Sequence, residues 1–451
     1  MHRVLSEPAV EAYEAQLGRE TIKRAVGETL DGARASAEMP EYEHIVASVL
    51  GRLDALRLAS LTPAINATGI LIHTNLGRAP LAAEALEAVA RVASGYSNLE
   101  YDLDEGRRGS RYERVVDAVR EVTGAPDALV VNNCAAAVLL VLDTFAKGRE
   151  VIVARNGLVE IGGGFRVPDV LAHSGATLVE VGTTNRVYVE DFERALTPRT
   201  ALMLRTHASN YSIEGFAHDV TARELAELGA RCGIPLVEDL GGGALCDLAP
   251  YGLGRDRTVQ EALADGAQLV TFSGDKLVGG PQAGIVAGRA NAIARMRSNS
   301  LLRALRVDKM TLAALGATLA LHRDPALRNR IPIYRMLAAT IDELRERARA
   351  YAAAVPGAEV VESVAYVGGG ALPQARIASV AIAVACEYPD GLAARLRRNM
   401  PAIVARVEGG RVLLDLRTIA PEEDAAVKTA LVETAAITPR TSPTVRRRGS
   451  R

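Results

Sequence analysis

The sequence is poor in lysine, tryptophan and cysteine, and it has almost no net charge. The last two features exclude several kinds of protein. Only five of the 451 residues are lysines, and tryptophan is absent. The four cysteines form no C-x-x-C pair, so neither a disulfide framework nor a thiolate metal site is indicated. The formal net charge of -1 provides no overall positive field for nucleic acid or for an anionic membrane.

Signals for export, for membrane insertion and for several enzyme classes are missing as well. The N-terminus shows no basic segment followed by an apolar one, and no run of about twenty apolar residues could span a bilayer. We therefore expect a cytoplasmic protein. There is no P-loop, no G-x-S-x-G elbow and no G-x-G-x-x-G after a strand. The seven histidines are not paired at ligand spacing with cysteine or acid, so no metal is expected.

Hydrophobic periodicity predicts four parts along the chain. Residues 1–60 read as a helical domain with runs at 20–35 and 41–58. Residues 61–308 alternate short apolar strands with helix-length stretches, which predicts an α/β domain with a mainly parallel sheet. Its predicted strands are residues 128–131, 150–153, 177–181, 201–204, 235–237, 268–272 and 284–287.

The remaining two parts differ in character. Residues 309–438 are predicted to form a small α+β domain with a strand at 376–386, a hairpin turning at Gly409 and Gly410, and a helix at 421–435. Residues 439–451 are rich in Pro, Ser and Arg, which predicts a disordered basic tail.

Lys276 is the most informative residue, because it follows an apolar strand and a small-residue turn and precedes glycines. Asp239 ends another apolar strand and is followed by Gly241, Gly242 and Gly243 after a single leucine. An enzyme that uses pyridoxal phosphate needs such a pair: the lysine forms a Schiff base with the aldehyde, and the aspartate pairs with the pyridinium nitrogen. The other lysines lack this strand-end, glycine-flanked setting.

A phosphate-bearing cofactor also needs an anion site, which a helix N-terminus preceded by small residues supplies. Cys134, Ala135 and Ala136 follow a strand and a polar turn, and they are small enough for a phosphate to reach the backbone. His207 and Ser209 follow the strand at 201–204, so they are expected at the mouth of the sheet. Each of these two is a candidate cofactor contact or part of a polar loop that satisfies its own backbone.

Three arginines are candidates for binding a second anion. Arg78 lies in the segment HTNLGR, and Arg303 and Arg306 lie three residues apart. On a helix, residues three apart share a face, so this pair could hold one anion between two guanidinium groups. A solvated helix face is the alternative interpretation.

Ten segments together resemble one family, the bacterial selenocysteine synthases (L-seryl-tRNA(Sec) selenium transferases), over nearly the whole chain. They are residues 65–78 (INATGILIHTNLGR), 96–103 (YSNLEYDL), 109–111 (GSR), 132–137 (NNCAAA), 158–163 (LVEIGG), 182–186 (GTTNR), 209–211 (SNY), 238–241 (EDLG), 272–277 (FSGDKL) and 407–417 (VEGGRVLLDLR).

The resemblance implies a fold-type I pyridoxal phosphate enzyme whose N-terminal helical domain binds tRNA and whose subunits form a ring-shaped decamer of dimers. It implies seryl-tRNA(Sec) and selenophosphate as substrates, with β-elimination of the serine hydroxyl followed by addition of selenium. Lys276 and Asp275 would be catalytic, and Asp239 would pair with the cofactor ring. The residues matching the selenophosphate site would be Arg78, Arg303 and Arg306.

The chain departs from the family pattern at two glycines and in the charge of its N-terminal part. Gly157 stands where we expect a glutamate, and Gly242 replaces a common serine, both near the expected cofactor pocket. Residues 1–60 hold seven basic and ten acidic residues, whereas binding of an RNA backbone normally requires clustered positive charge. Recognition of tRNA by shape through a local patch would not need a positive net charge.

Two other functions remain open from the residues alone. One is a pyridoxal phosphate-dependent lyase on the same scaffold, acting on a small phosphorylated amino acid or amino sugar whose phosphate the arginines would bind. The other is a catalytically idle RNA-binding or assembly protein, against which the presence of both Asp239 and Lys276 argues. The length of the N-terminal helical region favours a tRNA substrate.

Overall fold

The computed structural model describes residues 1–36, 40–57, 61–161, 164–207, 211–254 and 256–436. The tail predicted at 439–451 and Ser209 lie outside the described residues. The chain divides into two compact units, Met1–Ile65 with Arg397–Ile403 and Asn66–Leu396 with Val404–Arg451. The division of the chain into four parts remains a prediction.

Helices make up most of the first unit, as expected for the N-terminal part. In its second long helix Ile45, Val49 and Leu53 recur every four residues, and all three are buried in a common apolar cluster. The helices are α1 (His2–Leu5), α2 (Pro8–Glu11), α3 (Glu14–Leu17), α4 (Arg19–Arg34) and α5 (Tyr42–Arg57).

The second unit contains the remaining helices. They are α6 (Ala83–Ala93), α7 (Glu113–Thr123), α8 (Cys134–Phe145), α9 (Val167–Ser174), α10 (Val189–Ala195), α11 (Ala222–Cys232), α12 (Val259–Ala264), α13 (Ala290–Arg297), α14 (Leu302–Leu305), α15 (Lys309–His322), α16 (Pro332–Ala338), α17 (Ile341–Ala354), α18 (Pro389–Leu396) and α19 (Asp424–Ala436). Among the residues given above, no helix is long and apolar enough to cross a membrane.

The seven strands predicted within residues 61–308, the strand predicted at 376–386 and the predicted hairpin are found at or close to their predicted positions, whereas several other strands were not predicted. They are β1 (Ala64–Asn66), β2 (Ile70–Ile72), β3 (Tyr101–Asp102), β4 (Arg107–Arg108), β5 (Asp127–Val131), β6 (Glu150–Ala154), β7 (Glu160–Ile161), β8 (Phe165–Arg166), β9 (Thr177–Val181), β10 (Thr200–Thr206), β11 (Leu236–Gly241), β12 (Leu269–Ser273), β13 (Gly284–Gly288), β14 (Ala358–Gly368), β15 (Arg376–Ala385), β16 (Ala402–Val404), β17 (Arg406–Glu408) and β18 (Arg411–Asp415).

A seven-stranded sheet forms the centre of the second unit, in the order β5-β13-β12-β11-β10-β6-β9. The strands from β12 to β9 run parallel, and β13 is antiparallel to both of its neighbours. Strands β11, β12 and β13 are buried along their whole length, as strands covered on both faces should be. The predicted α/β class with a mainly parallel sheet is confirmed.

A second sheet of five strands has the order β17-β18-β15-β14-β2. Its β17–β18 hairpin turns at Gly409 and Gly410, as predicted. Strand β2, assigned from the sequence to residues 61–308, pairs in parallel with β14, with Ile70 opposite Tyr366. A segment near the start of the large predicted domain therefore completes the sheet of the C-terminal one.

Candidate active site

Asp239 lies near the carboxyl end of β11, between the parallel strands β10 and β12. The Thr271 hydroxyl, on β12, donates to Asp239 Oδ1 at 2.7 Å, and the Cys134 thiol donates to the same oxygen at 3.4 Å. In the described part of the chain, no side chain donates to Oδ2. Two side-chain donors from different elements thus bind one oxygen of this buried carboxylate.

The groups around Asp239 shift the pKa of its carboxyl in opposite directions. Burial raises the pKa of Asp239, whereas the Thr271 and Cys134 donors and the positive charge of Lys276 act to lower it. Burial, and after it the charge of Asp239, raise the pKa of the Cys134 thiol well above its ordinary value. The thiol is therefore protonated at neutral pH, as its role as a donor requires.

Lys276 follows β12 in a tight turn and is almost completely buried, at 5% exposure. Its neighbour Asp275 is equally buried and accepts a hydrogen bond from Arg78 Nη1 at 2.7 Å. The Ala79 N–H also donates to the Asp275 carbonyl, at 3.3 Å. The structure thus joins Arg78, which was predicted to bind a substrate anion, to the residue that precedes the candidate Schiff-base lysine.

The predicted phosphate site coincides with the N-terminus of α8. Asn133 caps this helix, and its side-chain oxygen accepts from the Ala136 N–H at 2.8 Å. The Cys134 and Ala135 N–H groups belong to the first turn, where no carbonyl of the preceding turn is available to them. Gly284 on β13 packs against this turn so closely that a Cβ there would lie 2.0 Å from the Asn133 carbonyl oxygen. In the part of the chain that the structure describes, no backbone carbonyl accepts from the Cys134 or Ala135 N–H group, so these two groups could bind an anion.

His207 lies beside Asp239, because its backbone N–H donates to the Asp239 carbonyl at 2.8 Å. Its side chain is partly exposed, and Nε2 lies 3.1 Å from Asp256 Oδ1. His207 therefore remains a candidate cofactor contact, because it is next to Asp239. It also remains a candidate loop residue, because its ring already has a protein partner. The contact predicted for Ser209 lies outside the described residues.

The structure does not place Arg303 and Arg306 on one helical face. Helix α14 ends at Leu305, and Arg306 adopts an extended conformation with ψ 143°. The chain leaves the helix because Arg306 forms a backbone bridge with Val131, and the Leu305 carbonyl accepts from the Asn132 N–H at 3.0 Å. This bridge brings Arg306 to the strand end from which α8 begins, while Arg303 is exposed.

Glu100 contacts two arginines near the start of α8. Arg111 binds it through Nε at 2.7 Å and Nη2 at 2.6 Å, and also donates to the Val307 carbonyl at 2.7 Å. Arg306 Nη1 lies 3.7 Å from the same carboxylate. The hydrogen bond from Arg111 is the main cause that lowers the pKa of Glu100, so this carboxylate remains charged beside Arg306. Glu100 and Arg111 lie in segments that resemble the family, but the sequence did not indicate their pairing.

A second group of charged residues lies on the other face of the strand that carries Asp239. Glu238 is completely buried and pairs with Arg205 Nη1 at 2.7 Å and with Arg257 Nε at 2.9 Å. Successive residues of a strand point to opposite faces, so the charge of Glu238 is neutralised on the face opposite Asp239. The sequence analysis missed Glu238, Arg205 and Arg257, because arginines far apart in the chain give no local signal.

The two glycines that depart from the family pattern have different surroundings. A Cβ at Gly157 would lie 2.6 Å from Thr206 Oγ1, which donates to the Gly157 carbonyl. A Cβ at Gly242 would meet its nearest neighbours, Leu277 and Ala371, at 3.6 and 3.8 Å, which is ordinary contact. A side chain at position 157 would therefore require the Thr206 hydroxyl to move, whereas position 242 has room for a serine.

The arrangement fits pyridoxal phosphate. A buried lysine turn, a buried carboxylate that accepts from two side chains and the N-terminus of α8 come together at the ends of β12, β11 and β5. The Leu277 N–H donates to the Gly242 carbonyl at 3.1 Å, so the turn that carries Lys276 lies beside the end of the strand that carries Asp239. No group of three or more metal-ligating side chains is found in the described ranges.

Family models match most of the chain. A model described as L-seryl-tRNA selenium transferase matches residues 64–420, and one described as selenocysteine synthase N terminal matches residues 2–34. The chain is 48% identical over 439 residues to the L-seryl-tRNA(Sec) selenium transferase of Solidesulfovibrio magneticus, covering 93% of both chains. It is also 48% identical over 406 residues to the enzyme of that name from Moorella thermoacetica, covering 88% of this chain and 86% of that one.

Among solved structures, the chain is similar to D-glucosaminate-6-phosphate ammonia-lyase. The TM-score is 0.60 at 22% sequence identity, and the match covers 83% of this chain and 96% of the other. At that identity the similarity concerns the fold alone.

Proposed function

This chain belongs to the L-seryl-tRNA selenium transferase family, and we propose that it converts L-seryl-tRNA(Sec) to L-selenocysteinyl-tRNA(Sec) with pyridoxal phosphate and selenophosphate. The observation that carries the proposal is the buried group at the ends of β11 and β12, where Lys276, Asp239 and Thr271 meet. Pyridoxal phosphate, when bound, stabilises the negative charge that develops at the α-carbon of an amino acid.

Each residue of the group has a distinct task in this proposal. The Lys276 amine would hold the aldehyde of the cofactor, and it would act as the general base that takes the α-proton of the seryl group. The Asp239 carboxylate would pair with the ring nitrogen and keep it protonated. The N–H groups of Cys134 and Ala135 bind the phosphate at the N-terminus of α8.

The arginines would hold the selenium donor. Arg78 is connected through Asp275 to the lysine turn, and Arg306 lies against the strand that leads into α8. Together with Arg303, each would offer the selenophosphate a guanidinium group that can bind a phosphate. We assign Asp275 a catalytic role because it binds Arg78 and directly precedes Lys276, so that it can orient both.

The partners follow from the same proposal. Residues 2–34, which match the selenocysteine synthase N-terminal model, would contact the tRNA through its shape, because residues 1–60 carry more acid than base. We also propose a homodecamer built of dimers and a location in the cytoplasm. Sedimentation of the full chain measures the first, and a five-fold smaller particle would contradict it.

The decisive experiment offers the purified protein a choice of RNA. It is incubated with selenophosphate and either seryl-tRNA(Sec) or ordinary seryl-tRNA, and the amino acid on each RNA is identified by mass spectrometry. Selenocysteine on the first RNA alone is the expected result. No conversion by protein that carries its cofactor would overturn the proposal, and release of ammonia or water from a small phosphorylated amino compound would favour the lyase.

A further inference from the structure

The segment that follows Lys276 is held by two side chains from helices that are distant in sequence. The Tyr334 hydroxyl, on α16, donates to the Leu277 carbonyl at 2.9 Å. His322, the last residue of α15, has Nε2 at 2.8 Å from the Val278 carbonyl. Tyr334 is fully buried and His322 is 6% exposed. The two carbonyls directly after the lysine are therefore bound by buried side chains rather than by solvent.

The protonation of His322 makes it a donor in this contact. Burial lowers its pKa to about 4, so the imidazole is neutral at pH 7. A carbonyl only accepts, and Nε2 must therefore carry the hydrogen of the neutral ring. This leaves Nδ1 as a buried acceptor that has no partner among the described residues. The ring thus binds the lysine turn through Nε2 although its other nitrogen loses hydration.

The two side chains support each other. The rings of His322 and Tyr334 meet edge to face, with centroids 5.4 Å apart and planes at 83°. The Cys246 thiol lies 3.7 Å from the Tyr334 oxygen and donates to it. Burial raises the pKa of Tyr334 well above its ordinary value, so the phenol keeps its proton and donates it to Leu277.

The backbone of the turn is tied to the strand of Asp239 as well. The Leu277 N–H donates to the Gly242 carbonyl, three residues after Asp239, at 3.1 Å. At Gly279 the backbone has φ +71°, and a Cβ would lie 2.3 Å from Ile331, next to α16. Together with the two side-chain donors, these contacts restrict the turn on both sides.

We propose that Tyr334 and His322 are positioning residues that hold the Lys276 turn in register with Asp239. The inference rests on the proposed function, because it concerns the lysine that binds the cofactor. Neither side chain touches the reacting atoms; both act by fixing the backbone from which the lysine projects. A small displacement of that backbone lowers the rate, because proton transfer requires the amine close to the α-carbon.

Two pairs of variants test the proposal in the full-length protein. Tyr334→Phe removes only the hydroxyl, and Tyr251→Phe, on the neighbouring ring 5.7 Å away, is its control. His322→Leu removes the donor, whereas His322→Gln keeps an N–H near the position of Nε2. The measurements are amide hydrogen exchange of residues 276–280 without cofactor, the pH midpoint of the absorbance of bound pyridoxal phosphate, and kcat and KM.

Tyr334→Phe and His322→Leu are expected to speed exchange in the turn, shift the absorbance midpoint and lower kcat about tenfold, with KM changed less than about twofold. Tyr251→Phe and His322→Gln are expected to resemble the unchanged protein. Unaltered exchange and midpoint in both donor-deleted variants would overturn the inference. So would equal behaviour of His322→Leu and His322→Gln, which decides the matter if Tyr334→Phe does not fold.

The results that would contradict the proposed function are different from those that would contradict this inference. If the unchanged protein does not take up pyridoxal phosphate, or takes it up without converting seryl-tRNA(Sec), the function is wrong. The exchange measurement without cofactor still reports whether these side chains hold the turn.

Discussion

Thr271→Val tests how the candidate cofactor site keeps Asp239 charged. Valine has nearly the shape of threonine but no hydroxyl, so the substitution removes the 2.7 Å hydrogen bond to Asp239 Oδ1 from a fully buried position. The pKa of this carboxyl is already raised by burial, and the Thr271 hydroxyl is the strongest of the groups that lower it. Its loss shifts the carboxyl further towards the neutral form, which cannot keep the ring nitrogen protonated.

The size of the effect follows from the difference between two hydrogen bonds. A hydrogen bond to a charged group contributes about 1.5–3 kcal/mol and a neutral one about 0.5–1.5 kcal/mol. The charged form of Asp239 therefore loses about 1.4 kcal/mol relative to the neutral form, which corresponds to about a tenfold change in an equilibrium constant. The acid limb of the pH dependence of pyridoxal phosphate binding should move to higher pH, and on that limb the dissociation constant should rise about tenfold.

Fluorescence titration of the cofactor-free protein with pyridoxal phosphate, across pH, measures both quantities. Thr271→Ser retains the hydroxyl and is expected to bind as the unchanged protein does. Cys134→Ala removes the second donor and should have the smaller effect, because a thiol is a weak donor. If Thr271→Val binds the cofactor with unchanged affinity and pH dependence, the hydroxyl does not stabilise the charged carboxylate and the reasoning is refuted.

Three further outcomes are expected. Lys276→Ala should abolish turnover and the absorbance of bound pyridoxal phosphate, whereas Lys147→Ala, which removes an exposed lysine, should retain both; retained turnover in the first would exclude its role. His322 has a pKa lowered to about 4 by burial, below the ordinary 6.5, so the unfolded chain binds more protons between these values and stability is lost as pH falls through them. Urea unfolding at pH 7 and pH 5 should show a decrease about 2 kcal/mol larger in the unchanged protein than in His322→Gln, and equal decreases would contradict the assignment. Gly157→Glu should lower the free energy of unfolding by more than about 2 kcal/mol through its clash with Thr206, whereas Gly242→Ser should change it by less than about 0.5 kcal/mol; equal effects in thermal unfolding would show that the Gly157 backbone adapts.

The strands of the central sheet were predictable because each is a short apolar run between turn residues. Strand β9 was predicted at 177–181 and is found at Thr177–Val181, and the others differ by one to four residues at their ends. Such runs must be covered on both faces, and only an α/β architecture covers so many of them. The local pattern therefore contained most of the fold, including the hairpin at Gly409 and Gly410.

Contacts between distant segments were not predictable. Strand β2 is three residues long and pairs with β14 about three hundred residues later, which no local period indicates. The end of α14 before Arg306 depends on the bridge to Val131, so a helical spacing of three was misleading there. In the sequence, Thr271 is an ordinary β-branched strand residue. Only the register of β11 and β12 places it opposite Asp239.

The same distinction explains why candidate residues for the chemistry were easier to find in the sequence than the contacts that hold them. The residues proposed to bind the cofactor, Lys276 and Asp239, are rare or unusually flanked, because a strand end followed by glycines is what exposes a side chain to a ligand. The groups that hold them, Thr271, Tyr334 and His322, are common residue types whose function depends on which oxygen they reach. A substitution at the second kind of position is therefore expected to alter rates and pH dependence while the motifs of the family remain intact.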